Sequence, residues 1–507
     1  MKSIKSRIVG FLEDRSLSGG TLTALLIATV LVVNLILCFL TQSFGWYFYE
    51  AKYQEDFTIS GRTDELFEEA RAAGRKISVT FLMDRDTLED HATGAFVLDT
   101  VEQFKERYEG FINLRFVNTL TKLDQNGDMV ELEKYKTDMR GNPVSLSRTA
   151  VIFESEDTGS YRTLSNVQGG VGFVDFYTFK SAGEVVSFNG ETVVASMLSW
   201  VLADEHKTVY VTANHAEEND ANFATLLASS GYYISVINLQ DNDVPSDAAM
   251  VVVSNPKNDF ERAKDGIGID TEIERLRKYV ERGGSLYVSL DPYVARLDNL
   301  ENFIFEYGIE LSSGKTSGGR DARYIVRDTD NAITLDGYTL LADLASGAVA
   351  DEITSTVRKY SEGGIILRDA AALRLTGDAQ AILKSSENSE ATLGGDVADT
   401  SGDYTVAAYS AAGTEGGGIF VVPSVYLAAS DALVQNAYAN RDFIYALFEH
   451  AFGAEDLPYG TNSVTYVTDD LKNLTMGTAR LYSLLLLAIP AALAVCGAVV
   501  IIRRKNR

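Results

Sequence analysis

The chain has 507 residues, enough for two or three domains with proper cores, and carries 71 acidic against 45 basic residues, a formal net charge of −26. Eight of the basic residues sit at the two ends; setting them aside with Glu13 and Asp14 leaves 37 basic and 69 acidic residues, a net of −32. Such a middle repels nucleic-acid phosphates and anionic lipid headgroups, so no nucleic-acid partner is expected.

Residues 1–20 form a basic tail with Lys2, Lys5, Arg7 and Arg15, followed by Thr21–Leu40, which carries no charge. At 1.5 Å per residue that run reaches roughly 30 Å, and Leu481–Ile502 near the other end reaches roughly 33 Å, each enough to span a bilayer as a helix. A cleaved signal peptide fits the first run poorly, because its apolar core is long and no small-x-small site follows Leu40. A lipoprotein needs a small residue before Cys38, where Leu37 stands. The second run stops abruptly at a basic tail, residues 503–507, with Arg503, Arg504, Lys505 and Arg507. Basic flanks collect on the cytoplasmic side, so the expectation is a two-pass cell-membrane protein with both termini cytoplasmic and residues of about 41–480 outside. The only cysteines, Cys38 and Cys496, lie in the apolar runs, which leaves the outer portion without a disulfide, thiol nucleophile or cysteine zinc site.

The outer portion alternates strand-like and helical patterns. A first α/β domain, residues 56–188, has a strand at Lys76–Met83, a helix at Ala95–Tyr108 and a strand at Phe111–Asn118, a β-α-β unit of parallel type, then a hairpin of Arg148–Glu154 and Tyr161–Leu164. A second α/β domain, residues 189–311, reads as helices at Glu191–Leu202, Asn222–Ser229 and Thr271–Glu281, with strands at Val209–Thr212, Ile234–Asn238, Ala248–Ser254 and Ser285–Leu290. Residues 312–453 form a looser C-terminal α/β region, rich in Ser, Gly, Ala and Asp, with weak elements at Tyr338–Leu344 and Ala379–Lys384. It closes on a strand at Gly418–Tyr426 and a helix at Arg441–Phe452.

Several stretches together resemble a known family: DFTISGRTDELFEEA ahead of the first unit, FNGETVVASMLSWVLADEHKTVYVTANHAEEND, YVERGGSLYVSLDP, and a last apolar helix ending in arginines. The chain resembles the GldG-like, gliding-motility-associated family over roughly residues 50–310, and more loosely over Arg374–Gly453. The resemblance implies a non-catalytic auxiliary subunit of an ABC-type transporter. Its extracytoplasmic domains, one β-α-β and one amidotransferase-like without the nucleophile, would be held between the two transmembrane helices. A separate ABC permease, a separate ABC ATPase and the lipid bilayer are the implied partners. The chain departs from the family pattern at Ala213–Glu217, where a glycine-flanked histidine and acid are common, and at Val422–Ser424, where an acidic loop is usual.

The residues themselves nominate a candidate crevice. His215, Glu217 and Glu218 follow a strand, at the carboxyl edge where open α/β sheets bind ligands, and Asp291 ends another strand that could face the same crevice. A histidine bonded into its own loop is the expected use of His215, because no second histidine lies near enough for a metal pair. Neither a metal nor a cofactor is expected, and no catalytic residue is assigned. The Gly314-Lys315-Thr316 segment lacks the earlier glycine of a phosphate loop, since Ile309 stands there. Asp124, Asn126 and Asp128 mimic calcium-loop spacing, but the glycine falls at the fourth position and Tyr135 holds the twelfth, which reads as an exposed turn. Two other function classes stay open: a tethered binding protein for a sugar, peptide or surface polymer, and a hydrolase using His215 with Glu217, Glu218 or Asp291.

Overall fold

Alternating apolar residues at Ile77, Val79 and Phe81 make β1 (Ile77–Phe81) a strand buried along its whole length. The computed structural model describes residues 59–465, less short internal stretches of which 165–172 and 262–270 are the longest. Both apolar runs, residues 21–40 and 481–502, and both basic tails lie outside the described residues; among the described residues no helix is long and apolar enough to cross a membrane.

The chain enters on α1 (Gly61–Ala72), then β1, α2 (Gly94–Arg107) and β2 (Ile112–Asn118). Strands β1 and β2 pair in parallel, as the β-α-β reading expects. The hairpin follows as β4 (Val151–Ser155) and β5 (Tyr161–Leu164), after the short β3 (Leu123–Asp124). Because β4 pairs antiparallel with β1, this first sheet is mixed, in the order β3-β2-β1-β4-β5. Next come β6 (Tyr177–Phe179), β7 (Val185–Phe188) and α3 (Gly190–Leu202). The sequence places α3 at the head of the second domain; in the structure its Val194, Leu198, Trp200 and Val201 pack with Ile77, Phe104 and Phe153 in the first core. Its run is apolar nearly all round, and the first sheet is the surface that covers it.

A larger sheet of 11 strands follows. Its centre is β8 (Thr208–Thr212), β9 (Tyr233–Ile237), β10 (Ala248–Ser254) and, after α4 (Glu272–Glu281), β11 (Leu286–Ser289). The expected helix Asn222–Ser229 is described only in part, at residues 223–224 and 226–227. Helix α5 (Asp298–Glu306) precedes the region that reads as loose in sequence, which holds regular elements along its described length. It supplies β12 (Thr339–Leu344), α6 (Ala348–Tyr360), β13 (Ile365–Arg368), β14 (Gln380–Lys384), β15 (Thr405–Ala411), β16 (Gly418–Val422) and α7 (Asn440–Phe452). The same region adds a four-stranded sheet from residues 313–315, 321–327, 390–393 and 396–399.

Nine strands of the large sheet run in the order β13-β12-β14-β15-β16-β11-β10-β8-β9, and two short ones, Ile309–Leu311 and Leu373–Leu375, pair beside β15. From β9 to β16 every pair is parallel, and from β16 outward every pair is antiparallel. Residues 312–453 therefore complete the same sheet as β8 to β11. Side chains alternate: Met250, Val252, Tyr287 and Phe420 meet α6 and α7 on one face, while Val251, Val253, Val288 and Ile419 meet α4 and α5 on the other. Covering both faces is what a parallel sheet requires. The five parallel strands have the spatial order second-first-third-fourth-fifth, which places a topological switch point between β8 and β10.

Candidate functional site

The loop leaving β8 reverses twice. Asn214 at φ 85° and Ala216 at φ 54° both adopt the left-handed region, and together they swing His215 inward until it is 2% exposed. Its Nδ1 lies 3.2 Å from Glu217 Oε1 and its Nε2 3.1 Å from Glu272 Oε2, while its backbone N–H donates to Glu217 Oε2 at 2.8 Å. Glu272 opens α4 and is itself buried, and the Phe260 ring stacks on the imidazole with centroids 3.8 Å apart. The His215 carbonyl accepts the N–H groups of Lys257 and Asn258, which fastens the loop after β8 to the loop after β10.

Both ring nitrogens face carboxylate oxygens, so the arrangement suits a doubly protonated imidazolium. Burial opposes that charge, but the hydrogen bonds His215 donates to Glu217 and Glu272, and their negative charges, outweigh it and hold the pKa up at about 9. For Glu217 burial pushes the carboxyl up, and the His215 and backbone hydrogen bonds more than reverse it, leaving it below the ordinary value. A general base needs a free nitrogen lone pair within reach of substrate. In this geometry His215 offers none.

Glu218 and Asp291 belong to a different group. Lys257 Nζ lies 2.7 Å from Asp291 Oδ2 and 3.6 Å from Glu218 Oε2, bridging loops that leave β8, β10 and β11. Asp291 Oδ1 also accepts the N–H of Tyr293, whose hydroxyl donates to Asp369. The four sequence candidates thus divide: His215 and Glu217 are sealed beneath the switch point, and Glu218 and Asp291 stand at its rim. Lys257 and Glu272 are the members that sequence reading missed. The signal for Lys257 was available, because Pro256-Lys257 follows an apolar strand on the same sheet edge; Glu272 looks like any acid in a first helical turn. Between β10 and Lys257 the chain turns through Asn255, at φ 49° and 7% exposed, whose Oδ1 meets no hydrogen-bond donor among the described residues.

The look-alike motifs are a turn and a hairpin strand. Asp124 Oδ1 accepts the N–H groups of Asn126 and Asp128, with Gly127 at φ 84°, and Lys315 lies in a hairpin strand where it pairs with Asp321. Among the described residues no cluster of three or more His, Cys, Asp or Glu side chains is arranged to hold a metal ion.

A second buried carboxylate joins the first and last described segments. Glu191, the only charged residue of α3, is fully buried; its Oε1 accepts the Ser60 N–H at 2.7 Å, the Ser60 hydroxyl at 2.7 Å and the Thr63 hydroxyl at 2.6 Å. Its Oε2 accepts the N–H of Asn462 at 2.7 Å. Beside it Thr192 and Thr461 share a hydroxyl hydrogen bond of 2.6 Å, Arg62 donates to the Leu457 carbonyl, and β17 (Val464–Thr465) pairs with β7. A lone acid in an otherwise apolar helix was the visible signal.

No family model matches the chain, and no curated protein does. Solved structures that align with it include the mmIFT52 N-terminal domain, at 17% identity over 48% of this chain and 96% of that one, TM-score 0.36. A putative ThuA-like protein from Bacteroides uniformis aligns at 11% identity over 48% and 90%, TM-score 0.30. A glutamine amidotransferase from Thermotoga maritima does so at 9% identity over 50% and 96%, TM-score 0.26.

Proposed function

We propose that this chain is a non-catalytic, membrane-tethered auxiliary subunit of an ABC-type transport system, with an amidotransferase-like outer platform that gates or receives cargo beside a separate permease and ATPase. The observation that carries the reading is the meeting of Ser60 and Thr63 with Asn462 at Glu191, near the two limits of the described residues. Ser60 and Asn462, each on the sequence side of one apolar run, share a single carboxylate, an arrangement that suits a body anchored twice to one face of a membrane. The sealed state of His215 and the absence of cysteine from residues 41–480 favour a binding or coupling role over thiol or histidine chemistry. Purification of the full chain from its native membrane in gentle detergent tests the reading: an ABC ATPase and a polytopic permease should accompany it in stable ratio, and recovery of the chain alone, with crosslinking also empty, overturns it.

The Lys257–Asp291–Glu218 group at the switch point favours one alternative, a tethered protein that binds its ligand at that rim. Under that reading the right ligand raises the melting temperature of the chain in proportion to occupancy. A hydrolase is the weaker alternative, because the histidine it needs is engaged on both sides.

A further inference from the structure

We infer that Glu191 couples the two end segments, so that loosening either loosens the other; the inference concerns the chain by itself and does not depend on the transporter reading. The link is the carboxylate itself. Its two oxygens belong to one rigid plane, and each is assigned to a different end: Oε1 to Ser60 and Thr63, Oε2 to Asn462. Four donors and no cation face it among the described contacts, so its charge is balanced entirely by hydrogen bonds from the two ends. Withdraw Asn462 and Oε2 is left buried without a donor, a state that costs more than opening the site to water. Water that reaches Oε2 also competes for the Ser60 and Thr63 bonds on the other oxygen.

Neighbouring contacts give the same coupling a second route. Thr192, next to Glu191 on α3, holds Thr461, and Arg62 of the entering segment reaches the Leu457 carbonyl of the leaving one. The acid itself is held in place, because α3 packs through Val194, Leu198 and Val201 into the first core. A displacement of one tether is therefore passed to the other and, through α3, to the first sheet. Reciprocity follows from linkage: the effect of the entering segment on the leaving one equals the reverse.

Hydrogen exchange of the full-length chain in detergent reads the coupling directly, using peptides over residues 59–67, 457–465 and, as reference, 248–254. Thr63→Val removes one donor from the entering side with little change of volume, and Asn462→Pro removes the N–H from the leaving side. Thr63→Val should speed exchange at 457–465, and Asn462→Pro at 59–67, each by roughly tenfold, with 248–254 unchanged. Thr63→Ser, which keeps the hydroxyl, should stay near the parent. Acceleration confined to the altered side in both variants overturns the inference. So does equal acceleration of all three peptides, which would make Glu191 a support of the whole fold and not a link between ends.

Discussion

Asn462 donates its backbone N–H to Glu191 at 2.7 Å across 271 residues of sequence. The opposite oxygen of the same carboxylate holds Ser60 and Thr63, near the other end of the folded unit. Among the described residues, four hydrogen-bond donors satisfy this buried carboxylate.

Replacing that acid should be costly in a graded way. Glu191→Gln turns an amide NH₂ toward a donor and should lower stability by about 1–3 kcal/mol, whereas Glu191→Ala leaves four donors unmet and should cost about 3–5 kcal/mol. Urea unfolding of the full chain in detergent measures both. A neutral Glu191→Gln contradicts the role given to it.

His215 should make stability depend on pH in a defined window. Its folded pKa, about 9, lies above the ordinary 6.5, so its contribution is complete below pH 6.5 and is lost as pH rises toward 9. Glu217, held below its ordinary 4.5, contributes above that value and loses its contribution as pH falls. Between 6.5 and 9 the parent should lose stability relative to His215→Gln at up to roughly 1.4 kcal/mol per pH unit. Parallel unfolding curves at pH 6, 7.5 and 9 would show it, and a constant difference between the two proteins across that range would refute it.

The imidazolium and its acids should also be energetically inseparable. His215→Ala strands two buried carboxylates and should cost about 3–5 kcal/mol. Adding Glu272→Gln removes one of the stranded charges, so the double variant should be destabilised by less than the sum of the single ones, with a coupling of about 1–3 kcal/mol. Strict additivity in a double-mutant cycle would mean that the short contacts contribute nothing to one another.

Lys257 provides a contrast, because its bridge to Asp291 and Glu218 is partly open to water. Lys257→Ala should change stability by less than about 1 kcal/mol. If the rim is a ligand site, the same variant should abolish the ligand-induced rise in melting temperature; if it is not, no ligand will produce such a rise in the parent.

The readable parts of the fold were those with one strong period. The β1-α2-β2 unit, the β4-β5 hairpin, β8, β10 and α4 all announce themselves through regular apolar spacing, and the structure has them where the spacing puts them. Residues 312–418 do not, for a physical reason. Strand β15 buries Val406, Ala407, Ala408, Tyr409 and Ser410 in succession, so both of its faces are interior and much of its sequence is small, which erases the alternation that marks a half-exposed strand. Helix α6 carries a legible stripe of Ala350, Ile353 and Val357, diluted by Thr354 and Ser355. Of the site, the loop position of His215 was legible and its partner Glu272 was not, because that contact spans 57 residues and depends on where α4 docks. The convergence on Glu191 was beyond any local pattern for the same reason.

The central claim, a folded body outside the membrane with both chain ends inside, is tested most directly by cysteine accessibility in intact cells. With Cys38 and Cys496 changed to serine, a single cysteine is placed at Leu120, which is 92% exposed, or in a terminal tail at Ser3 or Asn506, and a membrane-impermeant maleimide is added. The account predicts that Leu120→Cys is labelled at once and that both tail cysteines react only after the membrane is permeabilised. Labelling of either tail in intact cells, or protection of Leu120→Cys until permeabilisation, would contradict it.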